Sequence, residues 1–243
     1  MSRSFGSAAD AYESGRPGYP VEAVRWMLEP ARAQGPRPRV VDVGAGTGKL
    51  TRALVDADAE TVAVDPDSAM LARLRETIPG VPTFVGAAEQ LPLPDAALDA
   101  VVFGQAWHWV DVAAASAEAG RVLRPGGVLG LIWNIRDDAV DWVAEMTAIM
   151  HGSNAEVMLA SGGPSVADPF GGLDSRSWSW TRTMTRGQLW DMVHSRSYLI
   201  TAGPAERERI DRELGDLFDR VGATDDAPVE LPYVTTAFIA RRP

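Results

Sequence analysis

Val40-Val-Asp-Val-Gly-Ala-Gly-Thr-Gly-Lys49 decides how this chain is read. A β-branched apolar run enters three glycines at alternate positions, Gly44, Gly46 and Gly48, and a helical pattern follows from Leu50. Residues without a Cβ let a ligand lie against the main chain and the N-terminus of the following helix. Two common nucleotide grips do not fit this stretch. A phosphate loop of the form GxxxxGK[ST] needs glycine at position 43 and a hydroxyl after the lysine, where the chain has Val43 and Leu50. A dinucleotide loop wants GxGxxG, and here the third glycine comes one residue early. What remains is an acid followed by GxGxG.

Asp42, two residues ahead of the first glycine, would repel a pyrophosphate but suits a ligand bearing an ammonium group. Asp65 closes a second apolar run, Thr61-Val-Ala-Val-Asp65, where an acid can accept hydrogen bonds from two ribose hydroxyls. S-adenosylmethionine carries an ammonium, a sulfonium and a ribose. Either acid alone is weak evidence; the pair, each at a strand end, is specific.

Outward from this loop, short β-branched runs alternate with amphipathic helices from residue 39 to 134. Leu98 to Phe103 and Val128 to Trp133 read as further buried strands, with a weaker one near Pro82 to Val85. Leu50, Ala53 and Leu54 share a helical face, as do Met70, Leu71, Leu74 and Ile78, and Val112, Ala115, Ala119, Val122 and Leu123. Asp67 or Ser68, and Asp111, occupy N-cap positions, and Pro125-Gly-Gly127 is expected to end the last of these helices. This alternation predicts an α/β fold, a mainly parallel sheet with helices on both faces. Residues 138 to 150 predict a helix, and Gly152 to Gly172 a loop or cap segment. Trp178, Trp180, Arg182 and Met184 fall on one side of an alternating run. Ile210, Leu214, Leu217, Phe218 and Val221 form a helical stripe, and Leu231 to Arg241 is strand-like.

With 243 residues the chain suits one substantial domain with room for a small cap. It has no cysteine, which removes disulfides, thiolate nucleophiles and thiolate metal sites. The net charge of −10 works against nucleic acid and anionic lipid as partners. No apolar run approaches the ~20 residues a membrane span needs. The first dozen residues lack a secretory apolar core, so a cytoplasmic location is expected.

At this point the chain resembles the class I S-adenosylmethionine-dependent methyltransferases. VDVGAGTG is similar to the family's first motif and VAVDPD to its second. Gly86-Ala-Ala-Glu-Gln-Leu-Pro92, Asp99-Ala-Val-Val-Phe-Gly-Gln105 and Arg121-Val-Leu-Arg-Pro-Gly-Gly127 resemble later ones. Phe5, Tyr12, Arg16-Pro-Gly-Tyr-Pro20, Gln105-Ala-Trp-His-Trp-Val-Asp111 and Trp133-Asn134 resemble a small-molecule branch, which includes trans-aconitate methyltransferase-like and quinone C-methylase-like proteins. The resemblance implies a Rossmann-like seven-stranded sheet, mostly parallel with an antiparallel last strand, and a small cap from insertions. It implies a division of the single domain into a cofactor-covering segment and helix (1–38), a cofactor-binding core (39–134), a substrate cap with strand six (135–222) and a final strand (223–243).

The resemblance also implies roles. Tyr12 and Arg16 would fold over the cofactor, Arg16 meeting its carboxylate. Gly44, Ala45 and Gly46 would pass beneath the methionine part, with Asp42 nearby. Asp65 and Pro66 would lie at the ribose, Ala88 would offer backbone to the adenine, and Gln105 would lie near the methionine end. Many relatives carry an acid at the position of Ala87 to bind the adenine amino group, and this chain does not.

For the acceptor, His108 follows the fourth strand at the carboxyl edge where open α/β sheets bind ligands, and is the candidate general base. The alternative is that Trp107-His-Trp109 packs under the cap and His108 orders a loop. Trp107, Trp109 and Arg136 are candidate substrate contacts, Arg136 through bidentate hydrogen bonds to a carboxylate. An ion pair with Asp137 or Asp138 is the plainer role for that arginine. His151 and His194 are expected to be structural or solvated, and three scattered histidines make no metal site. The expected activity is methyl transfer from S-adenosylmethionine to a small organic acceptor, preferably at oxygen, by a monomer or homodimer. A macromolecular acceptor and a non-catalytic cofactor-binding protein are the alternatives, and a nicotinamide oxidoreductase is a distant third.

Overall fold

The computed structural model describes residues 16–33, 35–196, 199 and 202–243. Seven strands form one sheet: β1 (Arg39–Val43), β2 (Glu60–Asp65), β3 (Thr83–Val85), β4 (Leu98–Gly104), β5 (Leu123–Arg136), β6 (Asp174–Met184) and β7 (Val229–Arg241), in the order β3-β2-β1-β4-β5-β7-β6. The pairs from β3 to β5 are parallel. β7 runs antiparallel to both neighbours. Gly126 donates to Arg242 while Arg242 donates to Gly127, and the side-chain pairs Ser177–Thr236 and Thr183–Glu230 run in opposite senses along β6 and β7. This is the expected class I sheet.

The helices among the described residues are α1 (Val21–Arg32), α2 (Lys49–Asp56), α3 (Ser68–Thr77), α4 (Val112–Val122), α5 (Asp141–Met150), α6 (Asn154–Ala160), α7 (Arg186–His194) and α8 (Pro204–Arg220), with a single 3₁₀ turn at Trp107–Trp109. No helix among the described residues is long and apolar enough to cross a membrane.

Two compact units are distinguished within the chain. One contains Gly18–Asn134, Asn154–Trp178 and Thr235–Pro243. β1 and β4 are buried on both faces, which is why, Asp42 and Asp99 apart, they read as nearly continuous apolar runs rather than alternating ones. On one side Ala23, Val24, Met27 and Leu28 of α1 and Leu50, Ala53 and Leu54 of α2 close over Val40, Ala100, Val102 and Ile132. On the other, Leu71 and Leu74 of α3 pack with Ala45, Ala63 and Ile78. Asp67 caps α3 by accepting from Ala69 and Met70, and Asp111 caps α4 by accepting from Ala114, as their positions predict.

The second unit contains Ile135–Ser153 and Ser179–Val234. Its core joins Val143, Met146 and Met150 of α5, Leu189 and Val193 of α7, Ile210, Leu214, Leu217 and Phe218 of α8, and Leu231 and Tyr233 of β7. Trp180 stacks on Tyr233 at 5.1 Å.

Two local expectations change, and one helix is new. Pro125-Gly-Gly127 does not simply end a helix: it lies within β5, where the pairing steps from Leu98–Leu123 to Ala100–Val128 and the intervening residues bulge out to meet Arg242. The segment 152–172 contains the short helix α6, of which Ala155 is the buried member. α7, which the sequence reading does not anticipate, opens on a capping box of Thr185 with Gln188.

Candidate active site

The glycine loop joins the end of β1 to α2. Gly44 and Gly46 take positive φ of +68° and +55°, a region that costs residues with a Cβ. The two have different neighbours. A Cβ on Gly44 would stand 2.7 Å from the Cβ of Ala106, so at this point the loop touches the turn that follows β4. A Cβ on Gly46 would meet nothing within 4 Å, so the main chain there borders open space.

Asp65, buried at the end of β2, organises this loop. Its Oδ2 accepts from the Gly46 amide at 2.8 Å and its Oδ1 from the Asp67 amide at 2.8 Å. A carboxylate has about four acceptor positions, so two remain for further donors. Pro66 beside it is exposed.

Asp42 lies one layer deeper, fully buried within β1. Thr51 of α2 donates to its Oδ2 at 2.6 Å, while Oδ1 is buried without a hydrogen-bond partner. Burial, reinforced by the negative charge of Asp65, pushes the Asp42 carboxyl up to about 7 against the help of Thr51. Thr51 had not been singled out; a hydroxyl nine residues beyond the acid, on the first turn of the helix, was the available signal.

Ala88 is buried in the segment after β3, and α4 holds that segment from behind. Glu118 accepts from the Leu91 amide at 2.6 Å, and Arg121 donates to the Leu91 and Leu93 carbonyls. Hydrogen bonds from Arg121 in turn hold the Glu118 carboxyl below the usual carboxylate range.

After β4 the chain turns through Gln105, which takes a φ of +56°, uncommon for a residue with a side chain. Its amide donates to the Asn134 carbonyl at 2.8 Å, tying the ends of β4 and β5 together. Asn134 in turn donates to the Gly18 carbonyl and accepts from Thr235.

The Trp107–Trp109 turn comes next. Trp107 is buried edge-on against Phe103 at 4.8 Å, and its indole N–H donates to the Ser165 carbonyl at 2.8 Å. That side chain is an anchor for the segment beyond α6. Trp109 is 71% exposed, and its ring lies 4.8 Å from that of His108. His108 is half-buried, which lowers its basicity. Its Nδ1 accepts a 3.4 Å hydrogen bond from the indole N–H of Trp133, a fully buried residue of β5.

Asp42, Gly44, Ala45, Gly46, Asp65, Pro66, Ala88, Gln105, Trp107, His108 and Trp109 thus belong to one unit, along the carboxyl ends of β1, β2, β3 and β4 and the loops that follow. Arg16 and Arg136 belong to the other. Arg136 is buried and donates to Thr147 of α5 at 3.3 Å. Tyr12 lies outside the described residues. Among the remaining histidines, His194 pairs with Asp211 at 3.0 Å and His151 with Glu206 at 3.5 Å, both at the surface as expected.

Residues 41–131 match the methyltransferase domain family. A methyltransferase of Mycobacterium tuberculosis is 44% identical over 97% of this chain and 94% of its own. The malonyl-[acyl-carrier protein] O-methyltransferase of Methylococcus capsulatus is 41% identical over 52% of this chain and 48% of its own. Among solved structures, one described as a type II methyltransferase of Anaeromyxobacter dehalogenans aligns with a TM-score of 0.74 at 26% identity, covering 93% of this chain and 97% of that one. Similarity at this level along nearly the whole length, on a sheet with the expected order and with the glycine loop inside the matched region, leaves one assignment: the chain belongs to the class I S-adenosylmethionine-dependent methyltransferases.

Proposed function

We propose that the protein methylates an oxygen of a small organic acceptor, a carboxylate or hydroxyl, with S-adenosylmethionine as donor. The observation that carries this reading is the contact between Gly44 and Ala106: it brings the turn bearing His108 and Trp109 against the loop that would cradle the donor.

The residues present fit S-adenosylmethionine. Gly46 borders open space, Asp65 has acceptor capacity to spare for ribose hydroxyls, and the buried Asp42 offers a carboxyl oxygen without a hydrogen-bond partner in the layer beneath, which a cationic ligand would favour in its ionised form. When bound, this group supplies a methyl already activated by the positive sulfur. The chain's task is therefore chiefly to align the acceptor and exclude water, since proximity and orientation can supply much of the barrier reduction in such a transfer. Trp109 offers an apolar wall, and His108 a polar contact for the acceptor. Oxygen is favoured over carbon and nitrogen by the name of the Methylococcus relative, an O-methyltransferase. The net charge of −10 favours a small molecule over a nucleic acid.

The test is incubation of the purified protein with methyl-labelled S-adenosylmethionine and cell extract, following label into small molecules, protein and RNA. Label in a base-labile or ether-linked small molecule supports the reading. Label in protein or RNA replaces it with a macromolecular acceptor. Cofactor binding without transfer to any fraction of several extracts counts against an enzyme of this kind.

A further inference from the structure

Trp133 is buried in β5, bears no charge and touches no open space, yet its one polar atom is aimed at the side chain expected to serve as base. An indole N–H is only a donor. The 3.4 Å hydrogen bond to His108 therefore requires a lone pair on Nδ1. A neutral imidazole has one lone-pair nitrogen and one N–H, so the proton must sit on Nε2, across the ring from the indole. Packing at 4.8 Å against Trp109 further restrains the ring.

We infer that Trp133 is a positioning residue that locks His108 as its Nε2–H tautomer, so that His108 meets the acceptor as a hydrogen-bond donor and not as a general base. This rests on the proposed methyl transfer and narrows it. With its lone pair committed to Trp133, His108 has no free site to receive a proton. The lowered basicity that half-burial gives the ring keeps it in the neutral form this geometry needs. Acceptors that arrive already ionised are then preferred over hydroxyls that must be deprotonated. In such a transfer a lone pair on one acceptor oxygen forms the bond to the methyl carbon as the methyl–sulfur bond breaks, its electron pair going to sulfur. Anion and cation become neutral ester and neutral thioether, and no proton changes hands. The Nε2–H holds the acceptor while this occurs.

The tautomer is directly readable. The chain has three histidines, so a long-range ¹H–¹⁵N spectrum of the labelled protein near pH 7.5 resolves each ring, with His108 identified by its loss in His108→Gln. The expected result is an Nε2–H pattern for His108 that moves toward a mixture in Trp133→Phe, which keeps the ring but removes the N–H. An Nδ1–H pattern, or no change in Trp133→Phe, overturns the inference. Turnover gives a second reading, measured as label transfer from S-adenosylmethionine to the extract acceptor. Glutamine can donate from its amide but cannot take a proton. His108→Gln should therefore stay within about tenfold of the wild type, while His108→Ala falls about 100-fold. Equal losses in the two variants would identify a base and overturn the donor role. If the wild type transfers no label, the proposed activity fails, and the spectrum still decides the tautomer.

Discussion

Gly44 and Ala106 meet so closely that a single added methyl on the glycine would stand 2.7 Å from the alanine Cβ. Two loops from neighbouring strands, β1 and β4, are thereby held at one fixed separation. Gly44→Ala must both adopt a φ of +68° and push the β4 turn away. It should cost about 1–3 kcal/mol of stability and abolish measurable S-adenosylmethionine binding. Gly46→Ala is the informative partner. It has a similar φ but open space around it, so it should lose only about 1 kcal/mol while cofactor affinity falls about tenfold or more. Thermal melts and isothermal titration of the two variants check the contrast. Unchanged cofactor affinity in Gly46→Ala would mean that the space above Gly46 is not ligand space.

Asp42 sets a pH dependence. Its folded-state value of about 7 lies above the ordinary aspartate value of 3.8, so the native protein holds this proton more tightly than the unfolded chain does. Unfolding free energy should therefore fall as pH rises from about 4 to about 7, by no more than about 4 kcal/mol, and then level off. Asp42→Asn, which can still accept from Thr51, should flatten that slope and leave the variant the more stable protein at pH 8. Urea titrations at pH 5, 6, 7 and 8 measure it.

Asp65 carries a double duty that the sequence did not reveal. Its carboxylate is both the expected ribose acceptor and the acceptor for the Gly46 and Asp67 amides. Asp65→Ala should then cost about 1–3 kcal/mol of stability besides most of the cofactor affinity. Asp65→Asn retains one acceptor oxygen and should bind the cofactor more weakly with a smaller loss of stability. A variant that melts like the wild type would remove the loop-organising role.

Gly120 on α4 offers a test away from the chemistry. A Cβ there would come within 2.6 Å of the Pro169 ring, which cannot swing aside. Gly120→Ala gains helix propensity but should still lose about 1–3 kcal/mol through overpacking. The Ala167 amide, bonded to Ser116 of the same helix at 3.0 Å, should lose protection from hydrogen exchange alongside it. Undiminished protection would show that the 161–172 segment docks without this contact.

The part of the fold legible in the sequence is the part whose signal is local. β1, β2 and β4 are buried on both faces and so read as continuous apolar runs. The glycine loop follows from spacing, and Asp67 and Asp111 cap the helices they precede. The α8 stripe and the alternation of Trp178, Trp180, Arg182 and Met184 in β6 are equally plain. What stayed hidden depends on distant partners. The bulge at Pro125-Gly-Gly127 is met by Arg242, just past β7 and more than 100 residues later. Thr51 and Trp133 look like ordinary core residues until the structure places their donors on Asp42 and His108. Trp107, expected at the acceptor, spends its polar atom on Ser165, and only its neighbour Trp109 faces outward.

The strand order has a consequence for how the molecule is made. β7 lies between β5 and β6 although the ribosome delivers it after both. Until residues 229–241 emerge, β5 and β6 each keep an unfilled rim of backbone donors and acceptors, and neither can complete its ladder with the other. Sheet closure is thus a late, long-range step, slowed by the loop entropy of joining segments about 100 residues apart. A nascent chain stalled before residue 229 would present two sticky rims at once, a natural substrate for chaperones and a hazard for pairing between chains.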